Sequence, residues 1–224
     1  VGTKNATVMV DKDIVYVFGG KQTGDEYSST NKVLKINFSN SNNPKVSEIG
    51  SLIKPRKDAN ATILPDGKVL INGGTAYEDL KFSIFDAEIY DPINESSKLM
   101  SKGFFRRNYH SSSVLLPNGT ILVSGGDVWN SEIFYPPYLF TKDWEGKTVL
   151  SKRPKIKKLE SKLFRGKNKI ELDNDFPLDI GKFTLISTGS TTHSQGSEPK
   201  FRSLEFSRIA ENKFEIDIPL NKNE

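Results

Sequence analysis

The sequence predicts an all-β fold, with hairpins repeated along its first part and a second set of short strands after them. Three observations predict it. The segments "NATVMVDKDIVYVFGG" (Asn5–Gly20), "NATILPDGKVLINGG" (Asn60–Gly74) and "SSSVLLPNGTILVSGG" (Ser111–Gly126) align on one another; each is an apolar β-rich run, a tight turn, a second apolar run and a Gly-Gly pair. The first glycines of the pairs fall at 19, 73 and 125, with spacings of 54 and 52 (73−19 and 125−73). No segment shows a sustained helical period. A period near ~50 residues, with hairpins ending in Gly-Gly, is the pattern of kelch-type β-propeller blades.

Within each repeat the elements follow in order. Asp66-Gly67 and Asn118-Gly119 predict type I′ hairpin turns, whose two central positions both favour positive φ. "AEIYDP" (Ala87–Pro92) and "SEIFYPP" (Ser131–Pro137) hold equivalent places after the second and third hairpins and predict outer strands. Three blades do not close a ring, because propellers use about four to eight. Either further blades precede Val1 or the chain is a fragment with an open edge, and with the first residue not a Met, any targeting segment is expected upstream too. From "RPKI" (Arg153–Ile156) the character changes to "NKIELD", "KFTLIST", "FRSLEFSR" and "KFEIDIP", short strands separated by polar turns. These predict an immunoglobulin-like β-sandwich, truncated, since about four strands fit before Glu224 against about seven in a full one. The expected division is propeller blades over 1–150 and the sandwich over 151–224.

Composition narrows the function. Hydrophobic residues make up 35% and charged residues 27%, which fits a globular chain rather than a disordered one. No apolar run reaches the ~18 residues of a spanning helix, so no membrane span is expected. The net charge is +4, with basic residues crowded in "KRPKIKKLESKLFRGKNK" (Lys152–Lys169). Phe164 is the sole aromatic in that run, so base stacking lacks a platform and a solvated strand edge is expected rather than a nucleic-acid partner. No Gly-rich loop leads from a strand into a helix, and neither GxSxG nor HExxH occurs; nucleotide, serine-hydrolase and zinc-protease chemistry therefore lack carriers. Cysteine is absent.

Two histidines remain. His110 directly follows Tyr109 at the mouth of the third hairpin, and His193 lies in the polar loop "STGSTTHSQGSEP". Phenolate and imidazole are both good copper ligands, and copper accepts few ligands with an open position. Neighbours on a regular strand face opposite ways, so Tyr109 and His110 can share a metal only at an irregular strand entry. The alternative is that Tyr109 packs in its blade, His110 bonds locally and His193 is a surface residue.

From Gly2 to its end the chain resembles the galactose oxidase/glyoxal oxidase family of copper-radical oxidases, particularly bacterial members. "RNYHSSSVLLPNG" is similar to the family's copper-ligand hairpin and "SEIFYPPYLF" to its last blade strand. "RPKI" is similar to the entry of the family's C-terminal early-set domain, and "TTHS" to the loop that domain sends back to the metal. The resemblance implies about three blades of a seven-bladed kelch propeller followed by an immunoglobulin-like early-set domain. It implies copper as cofactor, with Tyr109 the axial phenolate that takes the substrate's hydroxyl proton and His110 and His193 the equatorial imidazoles. It also implies an extracellular or cell-surface setting.

Two departures stand beside it. The family's redox-active group is a tyrosine cross-linked to a cysteine, in blades upstream of the matched region, and this chain has no cysteine. Near His193, the family's Asp-Gln-Arg run is here Glu198-Pro199-Lys200, and "FEIDIPLNKNE" stops short of further family strands. The loops after the first two Gly-Gly pairs are the expected approach for substrate, with Tyr27, Tyr77 and Phe82 as aromatic contacts.

Two function classes follow. One is the C-terminal portion of a copper-radical oxidase, converting a primary alcohol, aldehyde or carbohydrate with O2 to give H2O2, inactive as this chain alone and partnered by the missing upstream blades. The other is a non-catalytic kelch and early-set module serving binding or structure. Beside both stands the reading of a truncated relic that does not fold stably on its own.

Overall fold

The structure is a computed structural model. It describes residues 3–11, 13–159, 163–173, 179–187, 190–192 and 195–219, with backbone alone for residues 26, 190–192 and 195–200. The fold is all-β, and its only helical pieces among the described residues are two single 3-10 turns. None of the described helical pieces is long and apolar enough to cross a membrane. Two compact units form, Val1–Pro137 with Ile186–Phe201, and Tyr138–Leu185 with Arg202–Glu224.

The first unit is made of antiparallel meanders. The first sheet runs β1 (Ala6–Asp11), β2 (Ile14–Phe18), β5 (Lys32–Asn37), β6 (Lys45–Ser51), with the small hairpin of β3 (Lys21–Gln22) and β4 (Asp25–Ser29) inserted after β2. The second runs β7 (Lys57–Ile63), β8 (Val69–Thr75), β9 (Asp86–Asp91), β10 (Ser96–Lys102), each strand beside its predecessor. The third has three strands, β11 (Ser111–Leu115), β12 (Ile121–Gly125) and β13 (Glu132–Phe134). Pro136 and Pro137 follow soon after β13 and bring no N–H to a ladder, so the chain leaves the sheet there. The Gly-Gly pairs fall where the period puts them: Gly19 follows β2, Gly73-Gly74 lie in the last turn of β8, and Gly125 ends β12.

The hairpin turns differ from expectation. Gly67 has φ 87° and Gly119 φ 81°, whereas Asp66 and Asn118 stay at negative φ. Gly67 N–H donates to Leu64 O at 2.9 Å, and Gly119 N–H to Leu116 O at 2.8 Å. These are three-residue loops, a type I turn with its left-handed residue as a bulge, not type I′ turns. The prolines decide it: φ near −65° at Pro65 and Pro117 suits the first central position of a type I turn, whereas a type I′ turn on the next two residues would place a proline without an N–H in the hydrogen-bonded pair flanking the turn.

Packing between the first two meanders supplies the main core. Val8, Phe18, Val33 and Leu52 meet Ala61, Ile71 and Tyr90, and the Phe18 and Tyr90 rings lie edge to face at 5.3 Å. Every residue of β7 and β8 is buried, because sheets cover both faces. On the far face the contact to the third meander is polar. Asn60 Nδ2 donates to Ser111 Oγ at 2.7 Å, and Thr62 Oγ1 meets Ser113 Oγ at 3.0 Å.

The second unit begins with the hairpin β14 (Phe140–Lys142) and β15 (Thr148–Leu150). There follow β16 (Ile156–Leu159), β17 (Gly166–Leu172), β18 (Phe183–Ile186), β19 (Ser190–Thr192), β20 (Gln195–Ala210) and β21 (Lys213–Ile218), of which β19 and the start of β20 belong to the first unit. Here β16, β17, β21 and the later part of β20 lie side by side. Alternation along β17 and β21 turns Ile170, Leu172, Phe214 and Ile216 inward with Leu204, and the Phe183 ring packs 5.2 Å from Phe206. Charges line the other face: Lys157 pairs with Glu171 at 3.3 Å and Lys167 with Glu215 at 2.8 Å.

Candidate metal centre

Tyr109 and His110 stand at the entry to β11, after the buried Arg107 and Asn108. Ser111 N–H donates to Asn108 O at 2.9 Å, closing a β-turn, and His110 takes φ 62°. A left-handed residue breaks the alternation of a strand, so consecutive side chains can share a side. Here they do. The phenol and imidazole rings lie 3.9 Å apart, tilted by 32°, with Tyr109 45% exposed and His110 exposed. The irregular entry that a shared metal requires is present.

The turn is one of a set. Lys4, Asp58 and His110 all have left-handed φ (61°, 56° and 62°) at the entries to β1, β7 and β11, Lys4 and His110 just before their strands and Asp58 as the second residue of β7. Their spacings of 54 and 52 (58−4 and 110−58) equal those of the Gly-Gly pairs. One residue per meander therefore stands at the same end. Sequence reading missed Lys4 and Asp58, because three different side chains at one repeat position give no pattern of type, although the spacing was there to find.

Two of these positions, Lys4 and Asp58, form an ion pair. Lys4 Nζ lies 3.4 Å from Asp58, 3.3 Å from Glu78 and 5.7 Å from the Tyr109 ring centroid. The Lys57 ammonium, fully buried, pairs with Glu78 and donates to Tyr27 O at 3.0 Å. Burial opposes the charge on Lys4, but Asp58 and Glu78 outweigh it and hold the ammonium above its ordinary range. Burial pushes the Asp58 carboxyl up despite Lys4. The hydrogen bond from Lys57 holds Glu78 below the usual carboxylate range.

A folded pKa below the unfolded one means that Glu78 contributes stability above the unfolded value, about 4.3, and loses it as pH falls through the folded value. Glu78→Gln should flatten the acid limb of the stability–pH curve below about pH 4.3. Denaturant midpoints of variant and wild type that stay parallel across that limb would contradict this.

The aromatic loop residues come together in part. Tyr77 and Phe82 have ring centroids 4.8 Å apart, and both are partly exposed. Tyr27 sits on the neighbouring loop, which is tied to theirs by the Ser28–Tyr77 bridge and by Ser29 N–H donating to Ala76 O at 3.0 Å.

His193 lies outside the described residues, and so do the side chains of Glu198, Pro199 and Lys200. The backbone around it is informative. β19 pairs with the start of β20 as an antiparallel hairpin, with Thr192 opposite Gln195. Gln195 in turn stands opposite Thr7 of β1 in a parallel pairing, and β19 lies alongside β11. Thr7 is three residues from Lys4, so the hairpin's last described pair stands by the end of the sheets that carries the Tyr109–His110 turn. Among the described residues, no group of three His, Cys, Asp or Glu side chains gathers for a metal.

No family model matches the chain. Galactose oxidase of Gibberella zeae is 28% identical over 171 residues, 71% of this chain and 24% of that protein. Over that stretch the chain is similar to galactose oxidase. A WSC domain-containing protein of Arthroderma benhamiae is 29% identical over 157 residues, 58% of this chain and 15% of that one. A solved fungal alcohol oxidase in complex with copper superposes on this chain with a TM-score of 0.84 at 23% identity. That match covers 98% of this chain and 48% of the alcohol oxidase, and it shows a shared all-β fold. The chain thus spans about a quarter of the galactose oxidases it matches (24%).

Proposed function

We propose that this chain is the C-terminal portion of a copper-radical oxidase acting on primary alcohols or aldehydes with O2 to give H2O2. In this reading residues 1–150 are kelch blades, about three of seven, and residues 151–224 are an early-set domain. Tyr109, His110 and His193 hold copper, and Tyr27, Tyr77 and Phe82 flank the substrate. The observation that carries the reading is the stacked Tyr109–His110 pair at a left-handed turn, with the β19–β20 hairpin alongside β11. A phenol and an imidazole on one side of an exposed turn fit a copper ion's donor preferences. When bound, copper supplies one-electron redox chemistry and a site for the substrate oxygen. Tyr109's phenolate would accept the hydroxyl proton, and the two imidazoles would hold the ion.

A second reading, a binding or structural module without turnover, is favoured by the absence of cysteine, since any thioether to a tyrosine would come from outside residues 1–224. Titration with Cu(II) and a peroxide assay test both. The chain should bind one Cu(II) weakly. His110→Asn, chosen because asparagine tolerates the left-handed turn, and His193→Ala should each abolish binding, and Tyr109→Phe should weaken it less. No peroxide should form from primary alcohols. Copper binding indifferent to both histidine variants would defeat the ligand assignment, and turnover by the chain alone would show that another residue carries the radical.

A further inference from the structure

We infer that the ion pair of the buried Arg107 with the partly exposed Glu132 positions the Tyr109–His110 turn by gripping the strand end against which His110 is laid. Arg107 is 3% exposed; its guanidinium donates to Gly125 O at 2.9 Å and meets Glu132 at 3.2 Å. Gly125 also faces the turn, since a Cβ built on it would stand 2.7 Å from His110 O. One glycine is therefore held by Arg107 through its carbonyl and pressed by His110 at its Cα. Glu132 completes the grip by accepting the Phe104 N–H at 2.6 Å, which anchors the segment leading into Arg107.

The second meander supplies a comparison within the molecule. There Arg56 donates to Gly73 O at 2.9 Å and pairs with Glu88, in the same relation to its own glycine pair. The left-handed residue follows the arginine by two positions in that sheet (58−56) and by three in the third (110−107). The added residue is Asn108, whose carbonyl closes the turn and whose amide donates to Ser83 Oγ at 2.8 Å. The same clamp thus holds a longer turn in the third sheet, and the longer turn brings Tyr109 beside His110.

The inference concerns ring geometry and rests on the oxidase reading only where copper is used to read it. With two histidines in the chain, His193→Gln assigns the imidazole proton signals of His110 in the unliganded protein. In the wild type the Tyr109 ring current should displace them upfield, and Tyr109→Leu should remove the displacement. Glu132→Gln, which keeps one accepting oxygen but replaces the other with a donor-only amide and removes the charge, and Arg107→Lys should each move the signals toward the Tyr109→Leu position. Each should also raise the Cu(II) Kd by roughly tenfold, the scale for groups that orient metal ligands. Glu88→Gln, the same change in the neighbouring clamp, should lower stability yet leave the His110 signals in place. Either folded Glu132→Gln or folded Arg107→Lys with wild-type His110 signals would overturn the proposal, as would an equal displacement in Glu88→Gln. If the wild type binds no Cu(II), the oxidase reading fails while the proton signals still decide the positioning role.

Discussion

Glu88→Ala should destabilise the first unit by about 3–5 kcal/mol, the range for breaking a buried ion pair by removing one partner. Arg56 and Glu88 are both fully buried, with Nη2 2.5 Å from the carboxylate. Glu88 also accepts the Ile53 N–H at 2.7 Å and the Lys54 N–H at 3.0 Å, so its loss strands a cation and two backbone donors. Burial already holds the Arg56 pKa below its ordinary value, but a guanidinium stays charged in proteins. The residual bonds to Gly73 O and Asp86 O cannot neutralise it. Urea unfolding monitored in the first unit is the measurement, and a loss under about 1 kcal/mol, the scale of an exposed pair, would refute the account. Replacing both partners by apolar residues should cost far less than either single change, because the desolvation penalty disappears with the charges.

The second large effect belongs to Gly73→Ala. Gly73 takes φ 70°, and a Cβ there would stand 2.1 Å from Arg107 O and 2.8 Å from Arg107 Cβ. That carbonyl accepts the Gly74 N–H at 2.6 Å, so it cannot retreat without breaking the bond between the second and third meanders. A left-handed alanine costs about 1–2 kcal/mol, and forcing the neighbouring backbone aside adds about 1–3 kcal/mol. Gly24→Ala separates the two contributions: φ is 86° there too, but nothing lies within 4 Å, so only the conformational cost applies. Similar unfolding midpoints for the two variants would show that the close approach of Arg107 is unimportant. Because Arg107 leads into the Tyr109–His110 turn, Gly73→Ala should also disturb copper binding, whereas Gly24→Ala should not.

Much of this was legible in the chain because it is local. A hairpin needs two β-rich runs and a turn, and the first glycine of each pair admits a close backbone carbonyl, Gly19 that of Arg56 and Gly73 that of Arg107 from the segment entering the next meander, and Gly125 that of His110 from its own. The turn type was misread where a neighbour overrode a dipeptide rule: Asp66-Gly67 and Asn118-Gly119 favour type I′, and the prolines before them select type I with a bulge. Lys57 and Asp58 look like surface residues in "KPRKDANATI", yet both are buried. Their burial depends on Glu78, Lys4 and the loops on either side, and on no feature of their own segment.

The sequence by itself determined the hairpins, their period, the inward alternation of β17 and β21, and the two residue types, phenol and imidazole, that make a metal centre conceivable. Tertiary structure decided that those two rings meet. Left-handed φ at His110 costs a non-glycine residue about 1–2 kcal/mol, and nothing in "RNYHSS" selects it. What holds it is long-range: Arg107 and His110 close on Gly125, eighteen and fifteen residues away (125−107 and 125−110), and Gly74 takes the Arg107 carbonyl from the neighbouring sheet. Local propensity sets which strands form, whereas the direction of a side chain at a strained turn is set by contacts that exist only once the sheets have packed.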